Sequence, residues 1–189
     1  WKQSIVITAP PSLTVTEREI EELLAIVPSR AAHQKSIEAH IELDNIYQGF
    51  WDIIQPTSKN RGVLQEFIST VFDDATRSVF YFKDRFNRTR SYHYYPAINE
   101  SIEHPGHPSY PSGHSTQGHA LAYALSEVYP HLRVQFEEYA HQLAREREIA
   151  GVHYLSDSVA GQSLALQMIQ QMRKNKKFQA MVKAIRAES

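Results

Sequence analysis

Pro111-Ser112-Gly113-His114-Ser115-Thr116-Gln117-Gly118-His119-Ala120-Leu121 is the stretch from which the rest of this chain is read. Pro-Ser-Gly is turn chemistry. From His114 to Val128 the pattern is helical, until Pro130 breaks it. A turn that feeds a helix leaves free N–H groups and partial positive charge at the helix start, where an anion can sit. Gly113 has no side chain to hold an anion at a distance, and the hydroxyl of Ser112 adds a donor.

Working outward, the flanking residues supply what such an anion site would need. Lys83 and Arg90 lie upstream, and Arg147, His153 and Asp157 lie downstream. Lys83, Arg90 and Arg147 offer up to three positive charges, and the planar fork of arginine suits two phosphate oxygens at once. His153 and Asp157 are four residues apart. If they share a helical turn, the carboxylate reaches one imidazole nitrogen, fixes the tautomer and leaves the other nitrogen free to attack. His114, with a reference pKa of about 6.5, can carry a proton at acidic to neutral pH and donate it to a leaving alkoxide. Phosphoryl transfer is mostly positioning and stabilisation of charge on the equatorial oxygens, and this set of residues suits it without a metal.

The rest of the chain reads as helix. Residues 1–13 hold Pro10-Pro11 and are expected to form an extended arm. Thr16 with Glu19 makes a capping-box pattern ahead of Ile20, Leu23, Leu24 and Val27. Pro28 stops that helix, and Ser29 can cap a second one running to about Tyr47, with Ala32, Ile37, Ile41 and Ile46 inward and with Gly49 and Pro56 marking its end and a loop reaching Gly62. Val63, Phe67, Val71, Thr76, Val79, Phe80 and Phe82 form a long stripe ending near Lys83. Residues 87–112 are irregular, and a loop of that length in a compact domain is usually functional. Helices follow over 114–128, 132–150 and 157–172, and a basic helix closes the chain to about Ala187. Strand signals are almost absent. The expectation is an all-α, single-domain helical bundle of about six to eight helices over residues 1–189. The run Arg173-Lys174-Asn175-Lys176-Lys177 reads as a solvated helix C-terminus.

Composition narrows the function. The net charge is -1 over 189 residues, so no bulk basic field draws nucleic acid. Cysteine is absent, which rules out disulfides and thiolate metal sites. His104, His107, His114 and His119 invite a zinc reading, but there is no HExxH and His114 already has a role, so no metal is expected. No apolar run approaches the ~20 residues of a spanning helix. The chain opens on Trp1 and not on Met, so the expectation is that an N-terminal piece has been removed; a cleaved signal peptide would explain it.

The ordered set resembles the three-part signature of the type 2 phosphatidic acid phosphatase superfamily, which includes the vanadium-dependent haloperoxidases. It reads Lys83-Asp84-Arg85-Phe86-Asn87-Arg88-Thr89-Arg90, then Pro111 to His114, then Arg147 through His153 to Asp157. The soluble bacterial class A nonspecific acid phosphatases are the branch it is most similar to. The resemblance implies an acid phosphatase/haloperoxidase-like helical fold and hydrolysis of small phosphate monoesters with broad specificity and no cofactor. It implies a transient phosphohistidine on His153, oriented by Asp157, with His114 as acid and phosphate held by Lys83, Arg90, Ser112, Gly113 and Arg147. It also implies a periplasmic or secreted protein and a possible homo-oligomer.

Two positions depart from the pattern: Ser91 replaces the proline after Arg90, and Glu146 replaces the serine before Arg147. The first is expected to loosen the backbone beside Arg90. The second is expected to pair with an arginine or face solvent. Each site residue alone has a plainer reading, as a helix end, a surface charge or a structural pair, and only the ordered set reverses that. A vanadium-dependent haloperoxidase with vanadate in the same cradle, a lipid or polyprenyl (pyro)phosphate phosphatase, and a phosphate-binding module without turnover remain alternatives.

Overall fold

The computed structural model describes residues 4–40, 43–56, 61–98, 102–103 and 105–188. Nine α-helices and no strands occur among them. The chain runs through α1 (Leu13–Ile26), α2 (Arg30–Ala39), α3 (Leu43–Ile54), α4 (Arg61–Phe86), the single turn α5 (Ser91–Tyr94), α6 (Gly113–Val128), α7 (Arg133–Ile149), α8 (Leu155–Met172) and α9 (Lys176–Glu188). Eight of these are ten residues or longer. The all-α expectation holds.

The helix that begins at the Pro-Ser-Gly turn is the axis of the molecule. No residue of α6 is exposed, and α4, α7 and α8 pack around it. A helix covered on every side belongs to the core, yet α6 carries Ser115, Thr116, Gln117 and His119. Burial of those groups is tolerated because each makes at least one hydrogen bond, although Gln117 Oε1 and His119 Nε2 have no partner among the described residues. Ser115 Oγ donates to Ser158 O at 2.6 Å, Thr116 Oγ1 to Ser112 O at 2.8 Å, and Gln117 Nε2 to Thr76 Oγ1 at 2.9 Å. His119 Nδ1 lies 2.8 Å from Ser115 O. Close approach is set by two glycines. A Cβ on Gly118 would lie 3.1 Å from Leu143 Cδ1 on α7, and one on Gly161 of α8 would lie 2.8 Å from Ser112 O.

Several local expectations change. Thr16 and Glu19 do not cap α1, which starts three residues earlier at Leu13 with Ser12 in the cap position. Both side chains are buried and serve Arg88 instead. Ser29 occupies the cap position of α2, but its hydroxyl donates back to Ile26 O at 2.7 Å.

The helix read over 29–47 is two helices, because α2 ends at Ala39 and α3 begins at Leu43. Ala32 is exposed, Ile37 and Ile46 are buried, and Ile41 lies outside the described residues. Gly49 does not end α3. It sits inside the helix, where a Cβ would come within 2.2 Å of the Tyr139 ring, so the residue serves close packing and not termination. Phe80 is half exposed at the mouth of a pocket, with its ring 5.3 Å from that of His107. The basic run 173–177 is exposed at the C-terminal end of α8, as expected, and it is also a junction: Arg173 caps α8, and Asn175 Oδ1 accepts from Lys177 N at the start of α9.

Candidate active site

Lys83, Arg90, Gly113, His114, Arg147 and His153 line one pocket of about 360 Å³, together with Val79, Phe80, Glu103, Pro105, His107 and Gln117 among others. They come from four parts of the chain. The last turn of α4 supplies Lys83, the segment after it supplies Arg90, the start of α6 supplies Gly113 and His114, and the end of α7 with the following turn supplies Arg147 and His153. Asp157 and Ser112 are fully buried behind the wall.

The turn between α7 and α8 sets the pair His153 and Asp157. Gly151 has φ +78°, a left-handed conformation natural to glycine. A Cβ there would also meet Ile98 O at 2.8 Å. Arg30 fixes the same turn from α2, donating to Ile149 O at 3.0 Å and to Ile98 O. The chain then enters α8 with Asp157 in its first turn, where a carboxylate suits the free N–H groups. His153 lies just before α8 rather than inside it, and the contact forms across the helix start. Asp157 Oδ2 is 3.0 Å from His153 Nδ1 and accepts from Tyr154 N at 3.1 Å. The backbone of the same residue accepts from Ser112 N at 2.9 Å, which locks α8 to the turn ahead of α6.

Asp157 has a second oxygen, and Arg88 takes it. Arg88 Nη1 donates to Asp157 Oδ1 and to Ser156 Oγ, both at 2.7 Å. Its Nη2 donates to Glu19 Oε2 at 2.9 Å and Thr16 Oγ1 at 3.0 Å, and its guanidinium lies 3.9 Å from the centre of the Tyr154 ring. Burial alone would lower the Arg88 pKa, but Asp157 and Glu19 outweigh it and hold the group above its ordinary value. Burial pushes the Asp157 carboxyl up, with Arg88 pulling against it. The sequence showed Arg88 only as a residue within the first motif. Its charge partner Glu19 lies 69 residues away, so no local signal could have revealed the pair.

The three cations of the pocket differ in how they are held. Lys83 Nζ donates to Pro108 O at 2.5 Å and Ser109 O at 3.0 Å. Arg90 donates from Nε to His107 O at 2.9 Å and from Nη1 to Val152 O at 2.5 Å. These are neutral carbonyls, so the charges are positioned without being neutralised. Arg147 goes further: its buried Nε and Nη1 have no hydrogen-bond partner. Burial, reinforced by Arg90, lowers Arg147 to about 10, and burial with Arg90 nearby holds Lys83 well below its ordinary value. A buried cation without a partner is costly unless a ligand completes it. The pocket is therefore built for an anion with several acceptor oxygens.

The two histidines sit in this positive field. Burial first, then Arg90, Lys83 and Arg147, hold His153 well below its ordinary pKa. Burial first, then Arg147, does the same to His114. With Nδ1–H donated to Asp157, a neutral His153 presents an unprotonated Nε2. His114 Nε2 lies 2.9 Å from the carbonyl oxygen of His40.

The family model described as PAP2 superfamily matches residues 63–176. The chain belongs to the PAP2 superfamily. It is 27% identical over 142 residues to a non-specific acid phosphatase of Providencia stuartii, covering 70% of this chain and 55% of that one. It thus spans about half the length of the curated relative it matches. Its fold is similar to that of the first transmembrane PAP2 type phosphatidylglycerolphosphate phosphatase from Bacillus subtilis. The TM-score is 0.59, the identity 21%, and the match covers 85% of each chain. No helix among the described residues is long and apolar enough to cross a membrane.

Against the PAP2 signature, the structure brings seven of the eight expected site residues to the pocket or, for Asp157, to His153 directly. Ser112 is the exception. It caps α6, with its Oγ 3.4 Å from Ser115 N, and does not line the pocket.

Both departures from the PAP2 pattern behave otherwise than expected. Ser91 does not loosen the backbone: it is fully buried, and its hydroxyl donates to Gly151 O, tying the Arg90 segment to the His153 turn. Glu146 neither pairs with an arginine nor faces solvent. It is buried and receives Ser36, Gln142 and the His40 ring. His107, seen in the sequence only as one of a histidine cluster, supplies the carbonyl that holds Arg90; its neighbour His104 lies outside the described residues.

Proposed function

We propose that this chain hydrolyses phosphate monoesters through a phosphohistidine on His153, without a metal and with broad specificity for the alcohol. The observation that carries the reading is the buried, incompletely partnered guanidinium of Arg147, in one pocket with Lys83, Arg90 and His153. Those three side chains supply the charge that a metal would otherwise bring to the phosphoryl oxygens. Vanadate, which shares the shape and charge of the phosphoryl group, is expected to inhibit.

In the first step the lone pair of His153 Nε2 attacks phosphorus while the bond to the ester oxygen breaks. Asp157 holds Nδ1–H and stabilises the ring as it becomes positive. His114 gives its proton to the departing oxygen, so an alcohol leaves. Its depressed pKa makes it a strong acid once protonated. A bound phosphate dianion offsets the field of Arg147 and Lys83 that discourages that protonation. In the second step His114 takes a proton from water, whose oxygen attacks phosphorus and releases His153.

The test is phosphate release from p-nitrophenyl phosphate in EDTA from about pH 4 to about pH 8, by the wild type and by His153→Ala. Turnover should fall about a thousandfold or more in the variant, as expected on losing a covalent nucleophile. An acid-labile, base-stable phosphoryl label should form on the wild type only. Undiminished turnover in His153→Ala would end the phosphohistidine reading. Halide oxidation after vanadate loading, with negligible phosphatase turnover, would favour the haloperoxidase alternative.

A further inference from the structure

The carbonyl of His40 is an orphan of the α2 C-terminus, one of the last carbonyls that no helical N–H can reach. It points to His114 Nε2 at 2.9 Å. What holds it there is the His40 side chain. His40 Nδ1 meets Glu146 Oε2 at 2.5 Å, and its ring stands edge-on to Tyr139, with centroids 5.7 Å apart. Glu146 is itself fixed from two sides: its Oε1 accepts from Ser36 of α2 and from Gln142 of α7, the latter at 2.9 Å.

We propose that Glu146 and His40 form a positioning clamp for His114: the carboxylate pins the His40 ring, the ring pins its own carbonyl, and that carbonyl takes Nε2–H of His114. The clamp leaves Nδ1 as the nitrogen that carries the transferable proton. It rests on His114 being the acid, as above.

Two further observations fit this role. Around His114, burial and the nearby Arg147, His40 and Lys83 charges all disfavour the protonated ring, and the His40 carbonyl is the one contact that favours it. The carbonyl also lies at the negative end of α2, where an imidazolium is welcome. Glu146 is moreover the residue just before Arg147. One position on α7 thus couples the phosphate-facing cation to the acid on α6.

A clamp on the acid has a signature that general structural support lacks. An alkoxide leaving group needs a proton as the P–O bond breaks; a dinitrophenolate does not. We would measure kcat/KM for glycerol phosphate and for dinitrophenyl phosphate with the wild type, Glu146→Gln and His40→Ala. kcat/KM reports the phosphoryl transfer to His153 even where the second step limits turnover. Glu146→Gln keeps the shape and removes the charge. It should lose about tenfold or more with glycerol phosphate and less than about threefold with dinitrophenyl phosphate, while its thermal midpoint in phosphate stays near that of the wild type. His40→Ala should show the same split.

Equal losses on both esters would place the effect on Arg147 and phosphate binding, and would overturn the clamp. No loss on either ester would overturn it as well. A wild type that turns over neither ester would instead overturn the phosphatase reading beneath it.

Discussion

Arg147 shows what a single residue contributes. Its buried Nε and Nη1 lack partners, so in the free protein it is a liability that only an anion relieves. Arg147→Met, which keeps the stem and removes the charge, should leave stability unchanged or raise it by about 1–2 kcal/mol. The same variant should lose the rise in thermal midpoint that phosphate gives the wild type. A clear loss of stability in phosphate-free buffer would show that the charge has a structural partner. At this scale the sequence was informative about chemistry and silent about state. Lys83, Arg90, Gly113, His114, Arg147 and His153 could be named because their residue types suit phosphoryl transfer and their order resembles the PAP2 signature. That Ser91 ties down a turn and that Glu146 is buried on His40 could not be read, because each depends on contacts with distant residues; that Ser112 caps α6 is a local contact, three residues long, which its reading as a phosphate donor passed over.

Among the elements, α6 and α8 matter most, because their contact carries the site. Gly161 lets α8 come close enough for the Asp157 carbonyl to take Ser112 N–H. Gly161→Ala would gain about 1 kcal/mol of helix propensity. Its Cβ, however, would stand 2.8 Å from Ser112 O, a backbone atom with nowhere to yield. Overpacking of that kind costs about 1–3 kcal/mol, so the net effect should be a lower thermal midpoint. Because Ser112 and Gly113 would shift, phosphate affinity should fall too; a more stable variant with unchanged affinity would show that the contact is softer than it looks. Helix periodicity made α4 and α6 to α8 legible, since long stripes and Pro130 mark them. It misjudged the N-terminal third. Thr16 and Glu19 mimic a cap while serving Arg88, and Gly49 mimics a stop while accommodating Tyr139.

Across the whole molecule, four of the described histidines are held below their ordinary pKa, at a cost that depends on pH. His107 and His119 are lowered to about 4 by burial, and His114 and His153 are lowered well below their ordinary value. Their unfolded pKa is about 6.5. Between that value and the folded ones the unfolded chain binds more protons, so stability falls as pH drops through this window. Asp157, raised in the fold, opposes the trend with one group. The thermal midpoint should therefore decline from about pH 6.5 towards about 4, and phosphate or vanadate should counter the decline. A midpoint that is flat or rises over that range would contradict the placement of these rings. A bundle could be foreseen from the sequence, but that its polar central helix would be covered on every side could not, because the partners of Ser115 and Gln117 lie on other helices. The reach of Arg88 has one more consequence. It joins Glu19 on the first helix to Asp157, the partner of His153, so the N-terminal helix supports the proposed site without touching the pocket. An antibody or peptide that peeled this helix away would take Glu19 and Thr16 from Arg88 and loosen its hold on Asp157, and the resulting loss of turnover should not be restored by any excess of substrate.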